Sequence, residues 1–361
     1  MALNLYLVLN LLLWPVALWL AWRGEQAYRG LAVLPLQQDG TSLPSLSIIV
    51  PARDEEQVLP GLLESLLRLE YPGPLEVIVV DDNSGDGTAQ VATSMGVKVV
   101  RVEGLPEGWL GKPHACQRGA QSASGKWLLF TDADTRHHPS SAASAVSFAM
   151  RGGLDGLSAL LKQEAAGRMD TLVLACGFAA LFAGMGRARG LFNGQYILVR
   201  RDIFQACGGF EAVRGAVLED VAFGSRLHQL GYNAPLLRGE ALAVVRMYRS
   251  LAQLWRGITR LGSGSLARSL PAALLTALFT AQAVTPLIYV GLALAGILPW
   301  GIPAAGWLLS AVMALPWLRR AGPSWLALLA PFGSLFIILA ALRGLLGRLT
   351  GSGTVWKGRR V

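Results

Sequence analysis

The sequence is poor in cysteine and in long basic runs, and each shortage excludes a class of protein. Cys116, Cys176 and Cys207 are far apart, odd in number and in no CxxC pair. Neither a disulfide framework nor a zinc site is therefore indicated, and a reducing compartment fits. The net charge is +9, but the sequence has no basic stripe interleaved with aromatic residues, so nucleic-acid binding is not indicated. The positive charge fits an anionic membrane face and phosphate groups better.

Charged residues are also scarce, at 15% of the chain against 53% hydrophobic residues, so part of the chain is expected in lipid. The apolar run from Ala2 to Trp22 is long enough to cross about 30 Å of hydrocarbon, which predicts an N-terminal transmembrane anchor over residues 1–23. A cleaved signal peptide is the alternative, but no basic stretch precedes the run and no small-x-small site follows it. Arg23 and Arg29 follow the span and place the next segment in the cytoplasm.

Residues 271–361 are again apolar and predict a C-terminal membrane region with a basic tail. The candidate spans are residues 273–298, 302–318 and 325–342. Three crossings after a cytoplasmic domain would export the tail at Trp356–Arg360, against the positive-inside rule. One of these segments is therefore expected to lie in the interface or to re-enter.

Two further segments are typical of helices that lie on a membrane. Residues 249–270 mix tryptophan and leucine with arginine at helical spacing, which predicts an interfacial helix. Residues 171–185 are apolar but short for a span. They fit either an interfacial helix or a buried core helix.

Residues 45–248 predict an α/β domain between the membrane segments. Four apolar runs alternate there with helical patterns, at Ser47–Val50, Glu76–Val80, Val97–Val102 and Trp127–Phe130. Such strands are typical of a mostly parallel sheet that is covered on both faces. Because ligands bind beyond the carboxyl ends of such strands, the polar residues directly after the runs are candidates for a functional site.

The most informative of these residues are Asp132 and Asp134, two positions apart after the fourth run. Like charges held close repel each other unless a cation or a proton lies between them. Magnesium and manganese take oxygen ligands and share them with substrate phosphates, so the pattern predicts a divalent-metal site. A solvated acidic loop is the alternative. His137 and His138 have no evident third ligand and are interpreted as surface residues.

Charged residues at three other places complete the candidate site. Glu55 and Asp82 follow the first two strands. Acidic residues are also common at the N-termini of helices, where they favour the helix dipole, so that explanation is the alternative. Lys112 opens a helix after glycines and is well placed to meet a diphosphate. Glu219 and Asp220 begin a helix that ends at Gly231. They offer a general base, or they simply favour the helix dipole.

Taken in this order, the segments resemble the family-two glycosyltransferases with a GT-A fold, from about residue 45 to residue 248. The resemblance rests on Pro51–Glu55, Asp81–Ser84, Gly111–Lys112, Thr131–Asp134 and Glu219–Asp220. Further motifs resemble the membrane-bound enzymes that glycosylate carotenoids, of the diaponeurosporenoate and hydroxychlorobactene glucosyltransferase type. These motifs are Gly111–Cys116, Phe130–Asp134, Arg246–Tyr248 and Val355–Arg359.

The resemblance implies a metal-dependent, inverting hexosyltransferase with a UDP-sugar donor, with glucose as the expected sugar, and with Mg²⁺ or Mn²⁺. The residues implied to hold the nucleotide sugar are Ala52, Glu55, Asp82, Lys112 and Asp132. Asp134 is implied as the direct metal ligand, with Asp132 meeting both nucleotide and metal. Asp220 is implied as the base that takes the acceptor's proton, with Glu219 beside it.

The acceptor side carries weaker signals. Asn193 and Gln195 border the acceptor pocket in relatives of this kind, although a turn between elements explains them equally well. Trp255 and Arg256 stand in Gln253-Leu-Trp-Arg256, where the order departs from the Gln-x-x-Arg-Trp signature of processive synthases. A processive polymerase is therefore not expected, and Trp255 and Arg256 are assigned to the diphosphate, the acceptor or the lipid headgroups.

The acceptor is expected to be a lipid-soluble molecule such as a hydroxylated or carboxylated carotenoid. A carboxylate is already ionised at neutral pH and needs no base, so Asp220 favours a hydroxyl. Polyprenyl phosphate and hopanoid acceptors are alternatives, and a non-catalytic nucleotide-sugar-binding membrane protein is a different class. A nucleotidyltransferase is disfavoured because no glycine-rich lysine loop follows the first strand. The sequence thus predicts a multi-pass protein of the cell membrane with a cytoplasmic catalytic domain.

Overall fold

The computed structural model describes residues 2–37, 42–185, 190–264, 270–350, 355–356 and 359–360. The chain forms two compact units. An α/β unit comprises residues 31–163 and 188–247, and a helical unit comprises residues 1–30, 164–187 and 248–361. Residues 164–187 therefore interrupt the α/β unit along the chain, whereas the sequence predicted one continuous domain over residues 45–248.

The four predicted strands are present, and helices lie between them along the chain. The ten strands of the α/β unit are β1 (Leu46–Ala52), β2 (Leu75–Asp81), β3 (Lys98–Arg101), β4 (Trp127–Thr131), β5 (Thr135–His137), β6 (Gly156–Leu160), β7 (Lys162–Gln163), β8 (Tyr196–Arg200), β9 (Leu236–Arg238) and β10 (Ala243–Val245). The α-helices of the chain are α1 (Ala2–Arg29), α2 (Leu59–Leu67), α3 (Thr88–Ser94), α4 (Gly111–Ser122), α5 (Ser141–Arg151), α6 (Arg168–Met185), α7 (Arg201–Ala206), α8 (Glu219–Gln229), α9 (Leu251–Gly264), α10 (Leu270–Leu294), α11 (Gly301–Ala321) and α12 (Ala330–Leu349).

The main sheet has seven strands in the order β3-β2-β1-β4-β8-β6-β9. All neighbouring pairs are parallel except the two that β8 makes with β4 and β6. A second sheet, in the order β5-β10-β7, has three short strands. The prediction of an α/β fold with a mostly parallel sheet is confirmed.

Apolar cores cover both faces of the main sheet. Ile48 and Val50 of β1 enter one cluster, and Ile49 between them enters the other. Because side chains alternate along a strand, a run of apolar residues without polar breaks requires cover on both sides. Gly119 on α4 shows how closely a helix covers the sheet, since a Cβ there would lie 2.4 Å from a methyl carbon of Ile49.

Among its described residues, the helical unit contains five helices that are long and apolar enough to cross a membrane. They are Leu7–Arg29 of α1, Arg168–Met185, Leu270–Leu294, Gly301–Ala321 and a continuous segment over Ser324–Leu349. The predicted N-terminal and C-terminal apolar segments are thus helical, and α1 extends beyond the predicted end at residue 23. The C-terminal tail contributes a short antiparallel pair of Val355–Trp356 with Arg359–Arg360, and residues 351–354, 357–358 and 361 of the tail lie outside the described residues.

An ion pair joins the C-terminal ends of α1 and α11. Glu25 is buried, and its Oε2 accepts a 2.8 Å hydrogen bond from Nη1 of Arg320. The guanidinium of Arg320 also lies 4.4 Å from the ring centroid of Tyr28. These contacts place the ends of α1 and α11 side by side, so the two helices leave the bundle at the same end.

The helix α6 lies across this end of the bundle. A Cβ at Gly322, directly after α11, would lie 2.9 Å from Thr171 in the first turn of α6. A Cβ at Gly24 in α1 would lie 2.8 Å from the backbone nitrogen of Ala183, near the last turn of α6. Both ends of α6 therefore meet the same end of the bundle. Most of residues 171–185 are buried and none is exposed, so of the two interpretations the structure favours the buried core helix.

Candidate functional site

The carboxyl edge of the main sheet brings the candidate residues together. Strands β1, β2 and β4 are parallel, so Ala52, Asp81 and Thr131 end at the same edge. Strand β8 runs in the opposite direction, so it begins at this edge, with Thr131 opposite Tyr196. The turn at residues 193–195 that leads into β8 is thereby placed beside Asp132.

Lys112 lies between two of the predicted carboxylates. Its Nζ is 2.6 Å from Oδ1 of Asp132 and 3.3 Å from Oε1 of Glu219. Burial alone would lower the pKa of Lys112, but the charges of Asp132 and Glu219 outweigh it and hold that pKa well above its usual range. Lys112 is therefore a fixed cation at the start of α4, with about a third of its side chain exposed.

Asp134 occupies a different electrostatic environment. Its Oδ1 is buried and has no hydrogen-bond partner among the residues that the structure describes. Burial, followed by the nearby charges of Asp132 and Glu55, raises the pKa of Asp134 to about 7. A carboxylate in this environment gains from a cation, because a positive charge restores its ionised form.

These residues fit a hard divalent cation. The buried, unpaired oxygen of Asp134 offers one ligand, and Asp132 adds further carboxylate oxygen beside it. In the described part of the chain, no three histidine, cysteine, aspartate or glutamate side chains form a complete metal cage. Magnesium and manganese commonly take one or two protein carboxylates, with waters and substrate phosphates as further ligands.

Backbone N–H groups hold the carboxylate of Asp220 at the start of α8. The N–H of Gly194 donates to Oδ2 at 2.8 Å, and the N–H of Val221 donates to Oδ1 at 2.8 Å. An ionised carboxylate has about four acceptor positions, so capacity for a further proton or hydroxyl remains. The contact with Gly194 also fixes Asp220 relative to Lys112, because a Cβ at Gly194 would lie 3.0 Å from the lysine Nζ.

The residues predicted to hold the uridine lie on the loops after β1 and β2. The N–H of Asp82 donates to the carbonyl of Ala52 at 2.8 Å, and Asp82 is buried. The N–H of Glu55 donates to the hydroxyl of Thr88 at 2.8 Å, at the start of α3. The structure thus joins these two loops, and the predicted role of Ala52, Glu55 and Asp82 remains a prediction.

Asn193 and Gln195 build the turn that carries Gly194. Oδ1 of Asn193 accepts from the N–H of Gln195 at 3.0 Å, which closes the turn. Gln195 is buried, and its Oε1 accepts a 2.8 Å hydrogen bond from Gln163. The sequence drew no attention to Gln163 and gave Gly194 only as the middle residue of the Asn193–Gln195 segment, and the position of β8 reveals what both residues contact. The predicted role of Asn193 and Gln195 towards acceptor or diphosphate stays a prediction.

The interpretation of His137 as a surface residue is wrong. His137 is only 6% exposed, because β5 pairs with β10 and turns the ring towards the interior. Its Nε2 lies 3.0 Å from the hydroxyl of Thr131, the residue before Asp132. Burial lowers the pKa of His137 to about 3, so the ring is neutral at physiological pH. His138 is exposed, as predicted.

Trp255 and Arg256 belong to α9 of the helical unit. The ring of Trp255 packs edge-on against Phe336, with centroids 5.2 Å apart, and Arg256 is exposed. The described part of the predicted interfacial segment 249–270 is helical from Leu251 to Gly264. The assignment of Trp255 and Arg256 to diphosphate, acceptor or headgroups stays a prediction.

Comparison with known proteins agrees with this fold. Residues 47–164 match the family described as Glycosyl transferase family 2. The chain is also similar to a 4,4'-diaponeurosporenoate glycosyltransferase of Staphylococcus aureus strain MRSA252, with 30% identity over 254 residues. The relative from strain USA300 is 29% identical over 254 residues. Each match covers 65% of this chain and 66% of the relative, slightly less than two thirds of its length.

A solved structure supports the fold over nearly the whole chain. It is the mannosyltransferase PcManGT from Pyrobaculum calidifontis in complex with GDP-Man and Mn2+, with a TM-score of 0.60 and 20% identity. The similarity covers 94% of this chain and 97% of that chain. The fold is therefore of the GT-A type, and within this fold residues 47–164 match glycosyl transferase family 2. The resemblance to carotenoid glycosyltransferases is confirmed by the diaponeurosporenoate relatives.

Proposed function

We propose that this protein is a metal-dependent, inverting hexosyltransferase that moves glucose from UDP-glucose to a lipid-soluble, hydroxylated acceptor. One observation carries the proposal. Lys112 Nζ lies within 3.3 Å of both Asp132 and Glu219, at the edge of the sheet where Gly194 holds Asp220. A cation for a diphosphate and a carboxylate for an acceptor proton are thus held beside each other.

The donor side rests on charge and position. The ammonium group of Lys112 lies at the start of α4, where N–H groups also favour an anion, so a diphosphate would meet both. Ala52, Glu55 and Asp82 hold the uridine, and Asp134 with Asp132 holds Mg²⁺ or Mn²⁺. When bound, the ion supplies Lewis-acid neutralisation of charge on the departing diphosphate.

The acceptor side rests on Asp220. The acceptor hydroxyl oxygen attacks the anomeric carbon of the sugar, and the bond from that carbon to the diphosphate oxygen breaks on the opposite side. Asp220 takes the hydroxyl proton, and the configuration at the anomeric carbon inverts. The two backbone hydrogen bonds orient the carboxylate for this step without using all of its acceptor positions.

The acceptor class follows from the relatives and from Asp220 together. Diaponeurosporenoate glycosyltransferases are named for a carboxylate on a long apolar molecule. We infer a carotenoid-like acceptor of the same apolar character, but with a hydroxyl, because a carboxylate would need no base. If this is correct, Asp220→Asn abolishes most transfer to the physiological acceptor, and full transfer by that variant would contradict a hydroxyl acceptor.

The proposed location is the cell membrane, with the α/β unit on the cytoplasmic side. The C-terminal ends of α1 and α11 lie together and carry Arg23, Arg29, Arg319 and Arg320. An excess of arginine marks the cytoplasmic end of a membrane helix. The segments before and after α6 form one sheet, so a simple crossing by α6 is not part of the proposal.

The experiment compares wild type with Asp134→Ala in a host that accumulates hydroxylated carotenoids. Its membranes receive UDP-glucose and manganese, and the pigments are followed by mass spectrometry. We expect a hexose mass increment with wild type that disappears in the variant. Asp202→Ala is the matched control, because Asp202 is an exposed carboxylate on α7 that pairs with Arg200.

The other outcomes separate the alternatives. Metal-dependent hydrolysis of UDP-glucose without a pigment increment would still support a glycosyltransferase. It would indicate that the acceptor is a polyprenyl phosphate or a hopanoid rather than a carotenoid. Binding of UDP-glucose without any turnover, in the presence of each acceptor, would establish a non-catalytic nucleotide-sugar-binding protein instead. An increment that persists in Asp134→Ala would contradict the metal assignment.

A further inference from the structure

A line of buried hydrogen bonds runs from α5 to the turn before β8. Nδ1 of His137 lies 3.3 Å from the hydroxyl of Ser141, and Nε2 lies 3.0 Å from the hydroxyl of Thr131. The hydroxyl of Thr131 lies 3.1 Å from the carbonyl oxygen of Gln195. All four residues are buried, with at most 6% of any of them exposed.

The direction of each hydrogen bond follows from chemistry. A carbonyl oxygen only accepts, so the single hydroxyl proton of Thr131 points to Gln195. The Thr131 oxygen must then accept from His137, which places the ring proton on Nε2. Because burial keeps the ring neutral, Nδ1 is an acceptor and receives the hydroxyl proton of Ser141.

This line connects the two halves of the candidate site. Thr131 is the last residue of β4 and directly precedes Asp132. Gln195 follows Gly194, whose N–H holds Oδ2 of Asp220 at 2.8 Å. The Nε2–H of His137 thus fixes the end of β4 against the turn that orients Asp220.

Packing alone does not explain a histidine at this place. The ring of His137 lies 5.7 Å from that of Tyr196, and an apolar side chain of similar size would fill the same space. A buried polar ring is costly unless its nitrogens are paired. Both nitrogens are paired here, and one of them faces the residue that begins the acidic motif.

We propose that His137 is a positioning residue for glycosyl transfer. Its Nε2–H donates to the Thr131 hydroxyl, which orients that hydroxyl towards the carbonyl oxygen of Gln195. The turn is thereby held where the Gly194 N–H donates to Asp220. The proposal rests on the proposed function, in which Asp220 is the base. It assigns His137 no contact with donor, acceptor or metal. Its loss should misplace Asp220 while leaving the donor site formed.

The test compares His137→Met with His137→Gln. Methionine fills the space without a donor, whereas the glutamine amide provides an N–H near the position of Nε2. A displacement of about 1 Å can cost on the order of 100-fold in rate, so we expect His137→Met to lower kcat by about 10- to 100-fold. The KM for UDP-glucose should stay within about twofold of wild type, and His137→Gln should recover most of kcat. His138→Met, at the exposed neighbour, is the matched control.

A second readout does not depend on activity. Deuterium exchange, followed by mass spectrometry on peptides that cover residues 192–197, reports the amide of Gly194. In His137→Met, exchange there should accelerate about tenfold or more, while peptides from β2 keep the wild-type rate. This readout decides the positioning role even if wild type transfers no sugar, an outcome that by itself would count against the proposed function alone.

Three results would overturn the inference. One is a wild-type kcat in His137→Met. Another is a parallel loss of kcat, donor affinity and thermal stability in both variants, which would indicate a purely structural residue. The third is unchanged exchange at residues 192–197 in His137→Met.

Discussion

The N–H of Gly194 donates a 2.8 Å hydrogen bond to Oδ2 of Asp220, and the same glycine lies against the ammonium of Lys112. The turn therefore sets the spacing between the cation for the donor and the carboxylate for the acceptor. A Cβ at this position would lie 3.0 Å from Nζ and 3.3 Å from Oδ2, so a side chain there would press on both groups.

Gly194→Ala should therefore separate Lys112 from Asp220. We expect kcat for sugar transfer to fall about 10- to 100-fold, because a small displacement of reacting groups is costly. Gly215→Ala is the control, since a Cβ at Gly215 would meet its nearest atom at an ordinary 3.7 Å. Steady-state transfer assays on both variants check the prediction, and equal losses would contradict it.

Lys112→Gln should weaken donor binding. The variant removes a charge-assisted contact to the diphosphate and leaves Asp132 and Glu219 facing each other without the cation. A hydrogen bond to a charged group contributes about 1.5–3 kcal/mol, so the KM for UDP-glucose should rise about 10- to 100-fold. Arg118→Gln, at an exposed position on the same helix, should leave KM unchanged. An unchanged KM for UDP-glucose in Lys112→Gln would show that Lys112 does not bind the donor.

His137 should make the protein less stable in mild acid. The folded-state pKa of His137, about 3, lies below the usual value of 6.5, so the unfolded chain binds a proton that the folded chain excludes. The stability present above pH 6.5 is therefore lost as the pH falls from 6.5 towards 3, by about 2 kcal/mol at pH 5.

Thermal unfolding in detergent at pH 7 and pH 5 measures this effect. The drop in Tm between the two pH values should be smaller in His137→Met than in wild type, because methionine does not titrate. His138→Met should keep the wild-type drop. Identical drops in all three proteins would show that His137 binds its proton equally well in the folded state.

Cysteines introduced at the two ends of the helix bundle should be accessible to a labelling reagent from opposite sides of the membrane. The native cysteines are buried, so an introduced cysteine reports its own position. Ala295→Cys lies in the exposed turn after α10, and Ser324→Cys is exposed beyond α11, at the end where Arg320 meets Glu25. In intact cells, an impermeant maleimide should label Ala295→Cys and should reach Ser324→Cys only after the membrane is opened. The reverse pattern would place the α/β unit outside the cell.

The parts of the site that follow parallel strands could be predicted from the sequence. Asp82 and Asp132 come directly after apolar runs, and parallel strands bring their carboxyl ends to one edge. Gly194 and Gln163 could not be found in this way. They reach the site because β8 runs against its neighbours, and a strand's direction depends on tertiary packing rather than on its own residues.

The prediction that His137 lies on the surface was wrong, and the sequence could not decide between two interpretations of α6. Both have a related reason. The burial of His137 depends on the pairing of β5 with β10, which are 105 or more residues apart along the chain and carry no local signal for each other. An apolar stretch such as Thr171–Met185 has a composition that fits a core helix, an interfacial helix or a membrane span. Its burial within the helical unit, and not its composition, distinguishes these states.

The pairing of Glu25 with Arg320 joins α1 to α11, a helix that is translated much later. The two residues are 295 positions apart, which corresponds to roughly 15–60 s of synthesis at about 5–20 residues per second. During that interval Arg29, one turn away at 2.6 Å in the finished protein, is available to Glu25 within its own helix. The contact between α1 and α11 therefore cannot form before α11 has been translated, so the helical unit is completed only after the whole α/β unit has been synthesised.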